Sequence, residues 1–307
     1  IATTCQGEGA DLWWPVKDHP SDKPDTMNIS VTVPGGLVVA TNGRHVGDTD
    51  NDDGTTTSRW QVLNPVSAYN VALNIGPFEL IENTYESVTG EAVPASFWVL
   101  PEDRVKAEAA QAGFLDVLRH LEETLGPYPF RSEKYGVVQT PHLGMEHQTI
   151  NAYGNGFRAD RRGYDWLHAH ELSHEWWGNL VTVRDWQDMW IHEGIGTYMQ
   201  GLYKEDRFGR DAYLAEARGW ARGLNNRRAV APRESQDSKE IYFLANGGHD
   251  NDIYSKGALV CHSLRWVLGD DAFFTVLRRW AYPDPATERV TDGSQVRHET
   301  TDGLLAI

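Results

Sequence analysis

The stretch His170–Glu193, reading HELSHEWWGNLVTVRDWQDMWIHE, constrains this chain more than any other. His170 and His174 stand four apart, and on an α-helix that spacing stacks both imidazoles on one face, within reach of a single metal ion. Glu171 follows the first histidine and points close to that face without being forced into the ligand set. H-E-x-x-H on a helix is a zinc pattern in which the glutamate acts as general base. Catalytic zinc takes three protein ligands and keeps one position for water, so another His, Asp or Glu must come from a neighbouring element. Glu193, 19 residues after His174 in the helix-like run WIHEGIGTYMQGLYKED, is the expected third ligand.

A solvated helix carrying two histidines and a glutamate would show the same five residues. The flanks argue against it: Leu167, Leu172, Trp176 and Trp177 make the other sides apolar, so the histidines face a packed interior. Polar groups are costly there unless something pairs with them. One zinc ion per chain, held by His170, His174 and Glu193, is therefore expected.

The 307 residues suffice for one large domain or two ordinary ones, and 12 tryptophans can build sizeable cores. A formal net charge of −16 argues against nucleic acid or an anionic membrane as partner. No apolar run reaches the ~18 residues of a membrane span. Cys5 and Cys261 form no C-x-x-C pair and read as free thiols. A soluble protein is expected, with a cytoplasmic or a secreted or periplasmic home equally open. The chain begins at Ile1, and its last residues, TTDGLLAI, read as the opening turn of a further helix. It is expected to be a piece of a longer protein.

Residues 1–101 carry short alternating runs (MNISVTV, GLVVATNG, TSRWQVL, YNVALNIG, FELIENTY, ASFWVL) with Gly-Gly, Asn-Gly and Asp-Gly punctuation, which predicts strands joined by turns. Asp48–Gly54 lacks the ligand spacing of a calcium loop and reads as a hairpin tip. From Glu102 the period becomes 3.6, and RVKAEAAQAGFLDVLRHLEETLG predicts an amphipathic helix ending at Gly126. Strand-like runs follow, then the metal helix with Asp165 at its start. The Glu193 helix runs to about Phe208, another helix follows, and after a Gly-rich loop come two more. The fold class is α+β: a partial all-β, saddle-like domain over 1–101, then a catalytic domain over 102–307 with a mixed sheet and zinc-bearing helices. Arg227, Arg228 and Arg233 read as a surface face.

HELSHEWWGNLVT followed by W-x-x-E-G resembles the aminopeptidase N family of gluzincin metallopeptidases, whose catalytic domain is thermolysin-like. The resemblance implies zinc on His170, His174 and Glu193, with Glu171 activating water. Further motifs match in chain order. CQGEGADLWWPVKDHPSDKPD is similar to the family's Q-x-E/Q segment and the proline-rich signature after it. Gln6 and Glu8 are thereby implied in substrate binding, Glu8 beside the substrate's free amine; otherwise Glu8 is an ordinary turn carboxylate. Gly144-Met145-Glu146-His147 is similar to the G-x-M-E-N segment, an edge strand over the cleft, although one residue is missing and His147 replaces the Asn. It implies substrate contacts for Gly144 and Met145 and an amine anchor in Glu146. Tyr254 in Y-x-K-G-A is implied as a donor to the oxyanion; otherwise it is a core aromatic at a helix start.

The implied activity is hydrolysis of the first peptide bond of peptides with a free N-terminal amine. A zinc endopeptidase would need only the metal set, and Glu146 argues against it. A non-catalytic, zinc-stabilised fragment would need neither Glu171 nor Tyr254.

Overall fold

The computed structural model describes residues 1–5, 8–244 and 247–307. Its first third is built of strands: β1 (Met27–Pro34), β2 (Val38–Thr41), β3 (Arg44–Asp50), β4 (Thr55–Val62), β5 (Leu73–Gly76), β6 (Glu79–Glu86) and β7 (Ala92–Val99). Three of them form an antiparallel sheet in the order β1-β4-β3, and β2 pairs with β5. The hairpin tip expected at Asp48–Gly54 is shorter than read, because Asp48–Asp50 belong to β3. Across the ladder the Thr56 hydroxyl donates to Asp50 at 2.9 Å, and within β3 Asp48 meets His45 at 2.8 Å.

α1 (Arg104–Leu125) buries Ala107, Phe114, Leu118, Leu121 and Leu125, a helical stripe that rests on β6 and β7. Then come β8 (Tyr135–Gln139), β9 (Gly144–Met145), β10 (Asn151–Tyr153) and the metal helix α2 (Trp166–Ser173). A mixed sheet runs β6-β7-β8-β10-β9, parallel across its three middle strands and antiparallel at both edges. The division expected at residue 101 therefore cuts through a hydrogen-bonded sheet. The strands β6 and β7 share period and turns with those before them, so sequence pattern alone could not assign them to the second layer.

Beyond lie β11 (Val181–Val183), α3 (Trp190–Phe208), α4 (Arg210–Gly223), α5 (Ser238–Tyr242), α6 (Gly257–Leu268), α7 (Asp270–Ala281), β12 (Arg297–Glu299) and α8 (Thr301–Leu305). The fold is thus mixed, with a β-rich first part and a helical second part. One core runs from the sheet through α1, α2 and α3 to α6 and α7, with Trp176 and Trp177 fully buried in it. Truncating a residue such as Leu172 there would cost ~2–5 kcal/mol. The α3–α6 crossing is backbone on backbone: a Cβ on Gly194 would stand 2.6 Å from Gly257 Cα. No helix among the described residues is long and apolar enough to cross a membrane. Cys5 and Cys261 are both free and buried.

Candidate metal centre

The Asp165 carboxylate caps α2 by accepting from His168 N at 3.1 Å. His170 and Glu171 lie in the helix, while His174 is its capping residue, still with right-handed helical backbone (φ −67°, ψ −14°). The four-residue spacing thus holds to the last turn. His170 Nε2 and His174 Nε2 are 3.2 Å apart, and Glu193 Oε2 of α3 stands 3.3 Å from the first and 3.5 Å from the second. Donors about 2.0–2.1 Å from a tetrahedral ion are separated by about 3.3–3.4 Å, so the three atoms already occupy one face of a zinc tetrahedron. Glu193 Oε2, buried, has no hydrogen-bond partner among the described residues. Two imidazoles and a carboxylate are the donor types zinc takes. The residues fit the ion.

Each ligand's remaining polar atom is engaged. His174 Nδ1 donates to Trp177 O at 2.9 Å, which leaves Nε2 as the lone-pair nitrogen. The Gln200 amide stands 2.7 Å from His170 Nδ1; turned with its oxygen inward, it fixes the same tautomer there. The Tyr242 hydroxyl donates to Glu193 Oε1 at 3.0 Å, so Oε2 is the oxygen left for the metal. Burial alone would raise the Glu193 pKa, but the two histidines and Tyr242 outweigh it and hold the carboxyl at about 2. Burial lowers His170. Tyr242 and Gln200 were missed in the sequence. Gln200 had a signal, since it follows Glu193 by seven residues and so shares its helix face.

Glu171 and Glu146 converge on the same place, with carboxylate oxygens and a His174 nitrogen all within 4.8 Å of one another. Burial, then the Glu146 and Glu193 charges, raise Glu171 well above the ordinary carboxylate range. Gly144, on edge strand β9, leaves the room Glu171 needs: a Cβ there would collide with Glu171 Oε1 and stand 2.7 Å from Leu167 Cδ1. Met145 is buried against Cys5, Ala10, Ala68 and Tyr69. Glu146 accepts from the Tyr69 hydroxyl at 3.1 Å, and Asn179 Nδ2 donates to its carbonyl at 3.1 Å. Burial raises Glu146 too.

The loop beyond Glu146 is strained. Thr149 has φ 62°, uncommon for a β-branched residue, and Glu175 holds it there by accepting from Thr149 N at 2.9 Å. Lys23 joins this network from the first sheet region, donating to Asn179 O at 2.9 Å; burial lowers its pKa to about 7. His147 is fully buried with both ring nitrogens unpartnered among the described residues, and burial lowers it to about 3.

Tyr254 lies in a wide π-type turn (Asp252–Lys256) just before α6. Its ring is 6.1 Å from that of His170, and burial, then the Glu193 and Glu146 charges, raise its hydroxyl well above the ordinary value. The close approach of Gly194 to Gly257 is what brings this turn beside Glu193. Gln6 lies outside the described residues. Glu8 is half-buried, its charge acts on Asp18, and it is not among the groups gathered at the histidines. Of the three arginines read as a surface face, Arg228 instead turns inward, pairing with Asp250 at 3.0 Å.

Two histidines and a helix-borne glutamate around an unpartnered carboxylate oxygen make a donor set of the kind zinc takes. Residues 151–283 match the peptidase family M1 domain. The chain is 30% identical over 89% of its length to leucine aminopeptidase 2 of Neurospora crassa, covering 37% of that protein. It is 27% identical to human endoplasmic reticulum aminopeptidase 1, over 82% of this chain and 28% of that one. The crystal structure of an M1 zinc metallopeptidase from Deinococcus radiodurans superposes with a TM-score of 0.79 at 28% identity, covering 99% of this chain and 64% of that one. A mutant of a Deinococcus radiodurans M1 zinc metallopeptidase, bound to a Tyr-Ser-Ala substrate, gives 0.77. The chain carries the peptidase family M1 match and is similar to aminopeptidases N, and that family implies zinc. It spans about a third of the length of the curated relatives it matches.

Proposed function

We propose that the protein is a zinc aminopeptidase that removes the first residue from peptides with a free N-terminal amine, using one zinc ion per chain on His170, His174 and Glu193. The observation that carries the reading is the buried meeting of Glu171 and Glu146 beside the metal face. A metal site alone needs neither acid.

Zinc, when bound, supplies a Lewis acid that polarises the scissile carbonyl and makes a water acidic near neutral pH. Glu171 accepts the proton of the attacking water and delivers it to the leaving nitrogen. The Tyr254 hydroxyl donates to the carbonyl oxygen as charge builds there. Glu146, oriented by Tyr69, pairs with the α-ammonium of the substrate. Two buried carboxylates repel unless a cation stands between them, so the ammonium is bound where it relieves that repulsion and sets the first peptide bond at the metal. Gly144 and Met145 form the edge against which the substrate backbone lies. Glu8 and Gln6 are proposed as outer contacts to the amine end. We place the junction between the two structural regions ahead of β6, since β6 and β7 are hydrogen-bonded into the second sheet.

Aminoacyl chromogenic amides test the reading. The zinc-loaded protein should release the chromophore, a chelator should stop it, and added zinc should restore it. Release that survives complete metal removal would overturn the proposal.

A further inference from the structure

Two tyrosines from outside α3 act on the Glu193 carboxylate. The Tyr242 hydroxyl, at the end of α5, donates to Glu193 Oε1 at 3.0 Å, and Tyr254 stands in the turn before α6. Burial, then the Glu193 charge, raise both hydroxyls well above the ordinary value. α5 is only five residues long, and Tyr254 precedes the first turn of α6. Helical pieces this short are marginal by themselves, so contacts from outside must fix where the hydroxyls point.

The segment 225–228 supplies those contacts. The Asp252 carboxylate, 1% exposed, accepts from Asn225 N at 2.9 Å, Asn226 N at 2.8 Å and Arg227 N at 2.9 Å. That ties the segment to the turn holding Tyr254, and Lys256, at the far end of the turn, donates to the Arg228 carbonyl. The Arg228 guanidinium serves the other tyrosine. It donates to the carbonyls of Glu240 and Ile241, the two residues before Tyr242, and pairs with Asp250 Oδ2 at 3.0 Å. Asp250, 2% exposed, closes the circuit: its other oxygen accepts from Asp252 N at 3.0 Å, and its own N donates to the Tyr242 carbonyl at 2.9 Å. Three acceptors around one head group suit the planar, five-donor guanidinium, and a lysine ammonium, a compact point charge, does not span them.

An arginine on a surface loop would matter little, since exposed ion pairs contribute little. Arg228 differs because the acid it pairs with is buried, and a buried carboxylate stripped of its cation is costly. We infer that Arg228 is a positioning residue, which sets Tyr242 against the metal ligand Glu193 and Tyr254 against the reacting carbonyl while touching neither metal nor substrate. The Tyr254 half rests on the proposed peptidase reading, and the Tyr242 half rests on the metal site alone.

Arg228→Gln removes the guanidinium, and Arg228→Lys keeps the charge without the fork. Zinc affinity, read by competition with a chelator, should weaken about tenfold in Arg228→Gln and about threefold in Arg228→Lys. On an aminoacyl chromogenic amide kcat should fall by about the same factors, with KM moving less than about twofold. The same change is then made with each tyrosine already removed. Added to Tyr242→Phe, Arg228→Gln should weaken zinc no further, and added to Tyr254→Phe it should lower kcat no further. An arginine that merely holds the loop together would keep its full effect in both backgrounds, and that result would overturn the inference. Single variants with unchanged zinc affinity or unchanged kcat would overturn it as well. Far-ultraviolet dichroism checks folding, and should Arg228→Gln not fold, Arg228→Lys takes its place in both comparisons. The zinc comparison needs no turnover. Protein that binds zinc but hydrolyses nothing would refute the peptidase reading, and the zinc comparison alone would then decide for or against Arg228.

Discussion

The site has two halves built in different ways. The metal half lies in one stretch of chain: His170, His174 and Glu193, supported by Trp177 O, Gln200 and, from α5, Tyr242. The half around Glu146 is gathered from four distant segments. Tyr69 reaches it across 77 positions, Asn179 across 33, and Lys23 touches Asn179 across 156. Helical geometry sets the first half almost by itself. The second exists only once the two sheets and the metal helix have docked, and a strained Thr149 marks the stress of that docking.

The comparison is broken most forcefully at Glu171, which serves both halves. Glu171→Gln keeps shape and metal ligands but cannot take a proton. Turnover should fall ~10²–10⁴-fold with zinc content unchanged. A variant that keeps near-normal kcat would remove Glu171 from the role of base. Tyr254→Phe should cost ~10²–10³ in kcat, the usual loss for one oxyanion donor, again with metal retained. If kcat drops less than tenfold, Tyr254 is a packing residue of the α3–α6 crossing.

The smallest expected effect separates the halves most sharply. Gln200→Leu removes the partner of His170 Nδ1 and should weaken zinc binding ~10–100-fold, read by competition with a chelator. Once the variant is zinc-saturated, its preference among substrates should match that of the unaltered protein. A changed preference would mean that the halves are not separable.

The same division explains what was legible in the sequence. His170 and His174 could be set on one face because helix periodicity fixes their relation, Glu193 was named from its place in the run after them, and the chain order of G-M-E and Y-x-K-G-A pointed to Glu146 and Tyr254. Tyr242 and Tyr69 could not be read, because their roles arise from contacts between elements whose docking no local pattern encodes, and Lys23 was legible only as the lysine of the proline-rich signature. The sheet continues across residue 101 for a related reason: β7 pairs in parallel with β8, and a parallel partner leaves no hairpin turn as a signal. Glu8 shows the converse. Its motif is readable, yet Glu8 is not among the donors gathered at the histidines.

The central claim is that Glu146 converts a general zinc hydrolase into one that recognises a free amine. The direct measurement is kcat/KM for a free peptide and its N-acetylated twin, on the zinc-loaded protein and on Glu146→Ala. The intact protein should prefer the free peptide by at least ~10², since the acetylated twin leaves a buried acid without its counter-charge. In Glu146→Ala that preference should shrink toward unity, with zinc content unchanged. Equal cleavage of both peptides by the intact protein would contradict the account and make the protein a zinc endopeptidase.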